Sequence, residues 1–224
     1  MHSYFVTGTD TGVGKTVVTA AVLAAARKRG LSVACMKPVE SGVGDDADSD
    51  ACALAATAGL PVQQTALYRF ADPVAPGVAA ERVGKVIDFE RIWDRLQALE
   101  AGRPDLLLVE GAGGLLVPLG AGRMMADLIR ELALPLIVVA RDGLGTINHT
   151  LLTVEVAVSR GLPVAGIVLS RTSRDPLDGQ ENLREIERAL GGDPPVLGIV
   201  PYLSDRSPAS LASAGDPIVA RLLA

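Results

Sequence analysis

The residues with the clearest chemical pattern lie at positions 8–16, which read Gly-Thr-Asp-Thr-Gly-Val-Gly-Lys-Thr. This segment follows a short apolar run and precedes an Ala-rich stretch typical of a helix. A glycine-rich turn between strand and helix lets backbone N–H groups converge on phosphate oxygens, and the helix N-terminus adds partial positive charge. Lys15 is placed to reach the β and γ phosphates, and Thr16 to offer its hydroxyl to Mg2+. We therefore predict a P-loop that binds a nucleoside triphosphate.

The spacing of this loop departs from the common motif. Five residues separate Gly8 from Gly14, where the motif has four, and Thr9 stands at the place of the first glycine. The alternative, an ordinary glycine-rich turn, gives no reason for a Lys-Thr pair at the start of a helix. The departure therefore affects the predicted turn, not the Gly-Lys-Thr core.

A second lysine follows the next apolar run. Lys37 precedes Pro38, which lacks a backbone N–H and is predicted to end the strand. Lys37 would then lie at the carboxyl edge of the sheet, facing the phosphates. Taken alone it is typical of a solvated surface lysine, and only the company of Lys15 and Ser41 favours an electrostatic role.

Two acidic residues are candidates for the metal. Glu110 follows Leu-Leu-Leu-Val as in a Walker B strand, although the acid there is normally Asp, and it could bind Mg2+ directly or through water. A charge at a strand terminus is the alternative, and the glycines of residues 111–114 favour close approach to a ligand. Asp50 opens a predicted helix, where it would complete the metal shell or serve as a helix N-terminal acid. Spacing does not separate these two options.

The segment 143–148 reads Gly-Leu-Gly-Thr-Ile-Asn and precedes another predicted helix. Its backbone N–H groups could bind an anion. The alternative is a conventional helix start capped by the side chain of Thr146 or Asn148.

The elements that must position these residues are apolar runs alternating with helical patterns. The runs are 4–7, 32–36, 106–109, 136–140, 164–169 and 196–200, and the clearest helices are 16–29, 50–58 and 151–160. Nearly continuous apolar strands alternating with helices predict a doubly wound α/β fold with a mainly parallel sheet and helices on both faces. Residues 39–80 fit this pattern least and are interpreted as an elaborated crossover at the active site. We predict one domain over residues 1–224.

Composition narrows the class of protein. A net charge of -5 with scattered Lys and Arg disfavours nucleic-acid binding. The longest apolar stretch, residues 132–140, is too short to span a bilayer, and no secretory signal is visible, so a cytoplasmic protein is expected. Cys35 and Cys52 lack a CxxC spacing and are interpreted as small core residues in a reducing compartment.

Taken together, these motifs resemble those of the dethiobiotin synthetase family. The likeness rests on residues 6–11, 14–16, 37–39, 41–42, 49–50, 109–114 and 145–149, of which the Gly-Thr-Asp-Thr opening and the Glu-Gly-Ala-Gly-Gly turn are the most specific. The resemblance implies a homodimeric enzyme that uses ATP and Mg2+ to close a cyclic urea from 7,8-diaminononanoate and CO2, through a carbamate and a carbamic-phosphoric anhydride.

The resemblance also implies roles for individual residues. Around the carbamate and phosphate it places Thr11, Lys15, Lys37 and Ser41, and around Mg2+ it places Thr16, Asp50 and Glu110. Along the nucleotide phosphates it places Gly12, Val13, Gly14, Lys15, Thr16 and Val17 together with Glu110, Gly111, Ala112 and Gly113. The substrate carboxylate would be received by Gly145, Thr146, Ile147 and Asn148 of the partner subunit.

The chain departs from the family pattern near the base. Ser170-Arg171 stands where many members have an Asn-Asp pair that reads adenine, whereas Pro201, Tyr202 and Leu203 match the other base-side loop. Acceptance of several nucleoside triphosphates is therefore a hypothesis. Asn182 stands near the position of a partner tyrosine that contacts substrate in some relatives, so that contact is expected to be missing.

Three other classes were weighed. A switch ATPase of the partitioning or septum-positioning type shares this fold, but its signature lysine would fall at Asp10, and the chain lacks a basic face and a C-terminal membrane helix. A corrin-type amidoligase would need a glutaminase domain for which no room remains. A binding module without catalysis differs from an enzyme by the absence of turnover.

Overall fold

Seven segments pair into one sheet in the computed structural model, which describes residues 1–45, 49–174 and 179–223. The sheet strands are β1 (His2–Gly8), β2 (Val33–Ser41), β3 (Ala66–Phe70), β4 (Leu106–Gly114), β7 (Leu136–Arg141), β8 (Val164–Ser170) and β9 (Val196–Val200). A separate antiparallel pair consists of β5 (Pro118–Gly120) and β6 (Arg123–Met124). The order across the sheet is β3-β2-β4-β1-β7-β8-β9, and all neighbours are parallel. The predicted α/β class and all six predicted strands are confirmed.

Helices occupy most of the connections between these strands. They are α1 (Lys15–Lys28), α2 (Asp50–Ala58), α3 (Val62–Thr65), α4 (Pro76–Arg82), α5 (Phe89–Ala101), α6 (Met125–Leu132), α7 (Thr146–Ser159), α8 (Gly179–Leu190) and α9 (Pro208–Leu222). The helix expected over 50–58 has the predicted bounds, and α1 agrees to within a residue. The helix expected from residue 151 begins five residues earlier, at Thr146. Among the described residues, no helix combines the length and apolar character that a membrane span requires.

The central strands are buried on both faces because their residues alternate between two apolar layers. Leu107 and Val109 of β4 join the layer that contains Phe5, whereas Leu106 and Leu108 join the layer that contains α1. This alternation explains why the strands read as continuous apolar runs. The carboxyl ends of β1, β2 and β4 consequently meet at one edge of the sheet, where ligands bind in this class of fold.

The predicted end of the second strand is wrong. Strand β2 continues through Pro38 to Ser41, because it leaves β4 after Met36 and pairs with β3 from Lys37 onward. Pro38 has no partner in either ladder, so its missing N–H breaks no sheet hydrogen bond. Lys37 therefore lies within the strand, at the point where β2 and β4 diverge.

The two cysteines differ in environment. Cys35 is fully buried, and burial raises the pKa of its thiol to about 12, as expected for an inert core residue. Cys52 is only half-buried, so the prediction of a core position holds for Cys35 alone.

Candidate active site

The P-loop connects β1 to α1 as the sequence predicts. Gly14 caps α1 in a left-handed conformation with φ of 94°, and no side chain satisfies the first N–H groups of the helix. The Lys15 Nζ lies 3.0 Å from the carbonyl oxygen of Asp10, to which it donates a hydrogen bond. Asp10 belongs to the part of the loop that carries the additional residue, so the lengthened turn supplies an acceptor for the lysine. The loop thus presents free backbone donors and a lysine to the same space.

The side-chain amine of Lys15 has a lowered pKa. Burial lowers the pKa of its amine to about 8, and the nearby charge of Lys37 acts in the same direction. The carboxylates of Glu110, Asp50 and Asp10 oppose this shift without cancelling it. A lysine with a pKa this close to neutrality is a candidate for a functional role.

Lys37 lies beneath the loop at 2% exposure. Its Nζ donates to Glu110 Oε1 at 2.6 Å, to Asp50 Oδ2 at 3.0 Å and to the carbonyl of Gly111 at 3.3 Å. Burial by itself would lower the pKa of Lys37, but the charges of Glu110 and Asp50 outweigh it and raise the pKa above its ordinary value. Lys37 is therefore a fixed cation held between two carboxylates, not a solvated surface lysine.

Glu110 is fully buried and uses both carboxylate oxygens. Oε1 accepts from Thr16 Oγ1 at 2.8 Å as well as from Lys37, and Oε2 accepts from Thr19 Oγ1 at 2.5 Å. Thr19 was missed from sequence. It stands one helical turn beyond Lys15 on the buried face of α1. A polar residue at that spacing, among alanines and valines, could have identified Thr19 as a site residue.

Asp50 is an acid in the first turn of a helix, which was one of the two options that the spacing left open. It is the first residue of α2, but Ser49 is the N-cap and accepts from the Cys52 N–H. The Asp50 carboxylate instead reaches Lys37, and its hydrogen bond with Thr16 is among the interactions that lower its pKa. Burial alone would raise that pKa, and the charge of Lys37 is the largest opposing influence.

The oxygen atoms of Thr16, Asp50 and Glu110 form a donor set that suits Mg2+, which prefers oxygen ligands and binds through one or two carboxylates together with substrate phosphates. Within the described ranges, no group of three or more His, Cys, Asp or Glu side chains is arranged to hold a metal ion. The residues present therefore fit a Mg2+ ion whose remaining ligands would come from the phosphates of a nucleotide. By themselves they do not form a complete coordination shell.

A cavity of about 730 Å3 opens over these groups. The predicted site residues that line it are Thr11, Gly12, Gly14, Lys15, Thr16, Val17, Lys37, Ser41, Asp50, Ala112, Gly113, Ser170, Tyr202 and Leu203. Val13, Glu110, Gly111 and Pro201 do not line it. Val13 and Glu110 are buried, and hydrogen bonds join Glu110 to two residues that do line the cavity, Thr16 and Lys37.

Several lining residues were not predicted. They are Glu40, Pro73, Val74, Ala75, Pro76, Val117, Thr172 and Arg206. Residues 73–75 precede α4 and Pro76 is its first residue, and together they form an apolar part of the cavity wall. They were missed because β3 was not predicted. Ligand-binding residues in this class of fold follow the carboxyl ends of the strands, so prediction of β3 would have identified them.

The loop before α7 lies away from this cavity. Thr146 lines a separate cleft of about 20 Å3 beside Thr9 and Thr11 of the P-loop, together with Leu144 and His149. Gly145 caps α7 with φ of 87° and no side-chain cap is present, so the alternative of capping by Thr146 or Asn148 is wrong. Thr146 Oγ1 is buried without a hydrogen-bond partner. The helix start thus retains anion-binding character, but residues 145–148 do not reach the lysines of their own chain.

At the end of the large cavity where the sequence predicts the base, Ser170 is 1% exposed and packs beneath Gly14, where an added Cβ would overlap Ser170 Oγ. The neighbouring Arg171 Nε donates to the buried Asp142 at 3.0 Å, and Asn182 Nδ2 donates to the other oxygen of Asp142 at 3.0 Å. Asn182 is therefore engaged within its own chain.

The pKa of Lys15 predicts a pH dependence of nucleotide binding. Below about pH 8 the amine is already protonated in the free protein, whereas above it phosphate binding must take up a proton, so affinity should fall by up to ~10-fold per pH unit. Calorimetry of ATP binding in buffers of different ionisation enthalpy should show proton uptake approaching one at about pH 9 and little at about pH 7.5.

Lys15→Arg is the matched control, because a guanidinium stays charged throughout this range. It should remove the proton uptake whatever its own affinity for ATP. Equal uptake in the Lys15→Arg variant would assign the proton to another group.

A family model and curated relatives of known name both match most of the chain. A family model described as an AAA domain matches residues 2–210. The ATP-dependent dethiobiotin synthetase BioD of Anaeromyxobacter dehalogenans (strain 2CP-C) is 46% identical over 208 residues, 92% of each chain. The protein of the same name from Bacillus cereus (strain ATCC 14579) is 40% identical over 207 residues, 91% of this chain and 85% of the relative.

Similarity to solved structures extends to more distant proteins. The MinC:MinD cell division complex of Aquifex aeolicus contains a chain matched with a TM-score of 0.59 at 17% identity, over 98% of this chain and 88% of that one. A ParA family ATPase from Chlorobium tepidum TLS gives 0.56 at 17% identity, over 99% and 98%. At such identity the match shows the fold alone, which is that of a P-loop NTPase.

Proposed function

The chain belongs to the ATP-dependent dethiobiotin synthetase family, and on that basis we propose that it catalyses ATP-dependent dethiobiotin synthesis, a ligase reaction of biotin biosynthesis. The substrates would be 7,8-diaminononanoate, CO2 and ATP, and ADP and phosphate would leave. The observation that best supports this reaction is the convergence of Lys15, Lys37, Thr16 and Asp50 on one cavity, at the start of a helix whose N–H groups are uncapped.

The proposed chemistry begins with an amine of the substrate that has taken up CO2. The resulting carbamate oxygen attacks the γ-phosphorus of ATP, the bond to the β-phosphate oxygen breaks, and ADP leaves. The second amine then attacks the carbonyl carbon of the mixed anhydride, loses a proton and expels phosphate as the ring closes. No protein nucleophile is required, so the chain has to position the groups and balance their charge.

The two lysines alone do not supply enough positive charge to balance the phosphates of ATP. Lys15 and Lys37 are cations, but Asp50 and Glu110 lie beside them, so these four side chains are together close to neutral. Mg2+, when bound with the nucleotide, would supply positive charge to the phosphate oxygens, and Thr16, Asp50 and Glu110 would hold it. Lys15 would bind the β and γ phosphates, while Lys37 would hold positive charge where the carbamate and phosphate meet.

The apolar wall of residues 73–76 suits the polymethylene chain of the diamine. It lines the same cavity as the lysines, so an extended alkyl chain bound there would bury apolar surface and keep water from the reacting groups. Thr11 and Ser41, which also line the cavity, would donate to the carbamate.

A homodimer would complete the substrate site. Leu144 is 96% exposed at the loop before α7, and Leu152 on that helix is 51% exposed, so both side chains are available for contact with a second copy. A second copy packed here would bring its own residues 145–148 toward the open end of the cavity, where the uncapped helix start would receive the substrate carboxylate.

The base end of the cavity leads us to expect broad nucleotide use. Ser170 is packed beneath the P-loop and Arg171 is bound to Asp142. Of the described residues from the end of β8 onward that line the cavity, none has a carboxylate or an amide side chain; they are Ser170, Arg171, Thr172, Tyr202, Leu203 and Arg206. CTP and GTP should therefore support turnover with kcat/KM within ~10-fold of ATP, because little of the binding energy depends on the base. The rate of phosphate release with each nucleotide measures this.

Inorganic triphosphate is the base-free control and should compete with ATP at a comparable concentration. A strict requirement for ATP would contradict the expectation of broad use while leaving the reaction itself intact.

A further inference from the structure

Glu40 is a buried carboxylate for which the proposed chemistry gives no role. It lies on β2 between Lys37 and Ser41, and its side chain is 5% exposed at the wall of the active-site cavity. A carboxylate at such burial is costly unless its oxygens are hydrogen-bonded. Its partners therefore indicate what the residue does.

Both oxygens of Glu40 are directed at the start of α2. Oε1 accepts from the backbone N–H of Asp50, and Oε2 accepts from Ser49 Oγ at 2.8 Å. Arg69 Nε lies 3.9 Å from Oε2. Ser49 in turn caps α2 by accepting from the Cys52 N–H at 3.2 Å. Glu40 thus fastens the first turn of α2 to β2 through a main-chain and a side-chain contact.

The same first turn carries Asp50, whose carboxylate contacts Lys37 and Thr16 in the cavity. The Asp50 side chain is 45% exposed, so its own surroundings do not enclose it. Its carboxylate belongs to the first residue of α2, and Glu40 binds the backbone N–H of that same residue directly.

We propose that Glu40 is a positioning residue that acts through Asp50: by binding the Ser49–Asp50 turn it places the Asp50 carboxylate beside Lys37 and Thr16. This proposal rests on the proposed function for the identity of the reaction, but it concerns the geometry of the metal and phosphate site. Direct contact of Glu40 with the substrate amine is the competing role, and it is disfavoured because both carboxylate oxygens already accept hydrogen bonds within the chain.

The test compares Glu40→Ala with Glu40→Gln in the full-length protein. Glu40→Ala should raise the Mg2+ concentration for half-maximal turnover by at least ~10-fold, and should weaken Mn2+ binding to the nucleotide complex, followed by electron paramagnetic resonance, by a similar factor. The KM for the diamine should change by less than ~2-fold, since the proposal gives Glu40 no contact with substrate. Glu40→Gln should recover most of the metal affinity, because its amide oxygen can still accept from the Asp50 N–H while its NH2 donates to Ser49 Oγ.

A double-variant comparison shows whether Glu40 acts through Asp50. In an Asp50→Asn background, Glu40→Ala should add less than ~2-fold to the loss of Mn2+ binding. Asp127→Ala is the matched control, because Asp127 likewise accepts a backbone N–H at a helix start, from Met124 at 2.8 Å on α6. Unfolding curves confirm that each variant is folded, and the control should leave Mn2+ binding unchanged.

Three results would overturn the proposal: an equal effect of Glu40→Ala with and without Asp50, a principal effect on the KM for the diamine, or failure of Glu40→Gln to recover metal binding in a folded protein. The first and third of these results are read from Mn2+ and nucleotide binding without the diamine, so they do not depend on the reaction. Absence of dethiobiotin formation by the parent protein would count against the proposed function alone.

Discussion

Replacement of Lys37 by alanine should reduce the rate of dethiobiotin formation ~10^2- to 10^3-fold, because a fixed donor directed at developing negative charge contributes this much in comparable sites. The expectation rests on its position, 2% exposed between Glu110 and Asp50 beneath the P-loop. The measurement is phosphate release with ATP, Mg2+ and bicarbonate, with and without 7,8-diaminononanoate, together with detection of dethiobiotin.

The same experiment tests the proposed function. In the parent protein, release that depends on the diamine and yields dethiobiotin supports the synthetase. Release that is independent of the diamine would instead favour a switch ATPase of the partitioning or septum-positioning type.

Lys37→Ala also leaves Glu110 and Asp50 without their shared partner, and breaking a buried ion pair in this way costs about 3–5 kcal/mol of unfolding free energy. Loss of activity could then reflect loss of fold. Lys37→Met combined with Glu110→Gln removes both charges of the tighter pair while keeping similar volumes, so it should restore much of the stability without restoring turnover. Lys85→Ala, at an exposed lysine away from the cavity, serves as the control and should behave like the parent protein.

Recovery of diamine-dependent turnover in the Lys37→Met, Glu110→Gln double variant would show that Lys37 serves the fold and not the reaction. Its three hydrogen bonds to protein acceptors make this a real alternative, since all its donors are engaged before any ligand binds.

The parts of the site that sequence predicted well are those whose chemistry is local. The P-loop needs a strand, a glycine-rich turn, Lys15 and Thr16 in immediate succession, and these requirements are visible in one segment of chain. Apolar runs such as residues 106–109 likewise identify buried strands without knowledge of their neighbours. Fold class and phosphate loop were therefore both accessible.

The parts that were missed depend on contacts between distant segments. Thr19 binds Glu110 across 91 positions of sequence, and nothing near either residue indicates the partner. Pro38 was interpreted as a strand end because sequence cannot show that β2 exchanges one neighbour for another there. The short edge strand β3 is half-exposed and carries Arg69, so it lacked an apolar run, and the cavity wall that follows it was missed as well.

The charge balance of the site is a third property that required the structure. From sequence, Lys15 and Lys37 were expected to face the phosphates as two cations. In the fold, Lys37 is bound by two carboxylates, and Lys15 is the lysine with the lowered pKa. In the proposed reaction a metal ion would then have to supply the additional positive charge. Which lysine titrates was decided by burial and pairing, not by residue type.

Replacement of Gly14 by alanine should weaken ATP binding at least ~100-fold, because two separate features of the loop forbid a side chain there. Its φ of 94° is unfavourable for any residue with a Cβ, and that Cβ would overlap Ser170 Oγ and crowd Ser170 Cβ, in a side chain that is itself buried. The loop would have to shift, and the backbone N–H groups that receive the phosphates would shift with it. Binding of a fluorescent ATP analogue, with unfolding followed in parallel, measures both effects.

Gly30→Ala is the control for the backbone strain that a Cβ causes at a positive φ, since Gly30 lies outside the P-loop. Gly30 has a similar φ of 81° just beyond the other end of α1, but an added Cβ there would meet nothing within 4 Å. It should lower the unfolding free energy by about 1 kcal/mol and leave ATP binding unchanged. The Gly14→Ala, Ser170→Gly double variant should recover part of the affinity, because it removes the overlap and keeps the unfavourable φ. If the double variant bound ATP no better than Gly14→Ala, the overlap with Ser170 would not be the cause of the lost affinity. If Gly14→Ala itself bound ATP normally, the loop would not be the phosphate site.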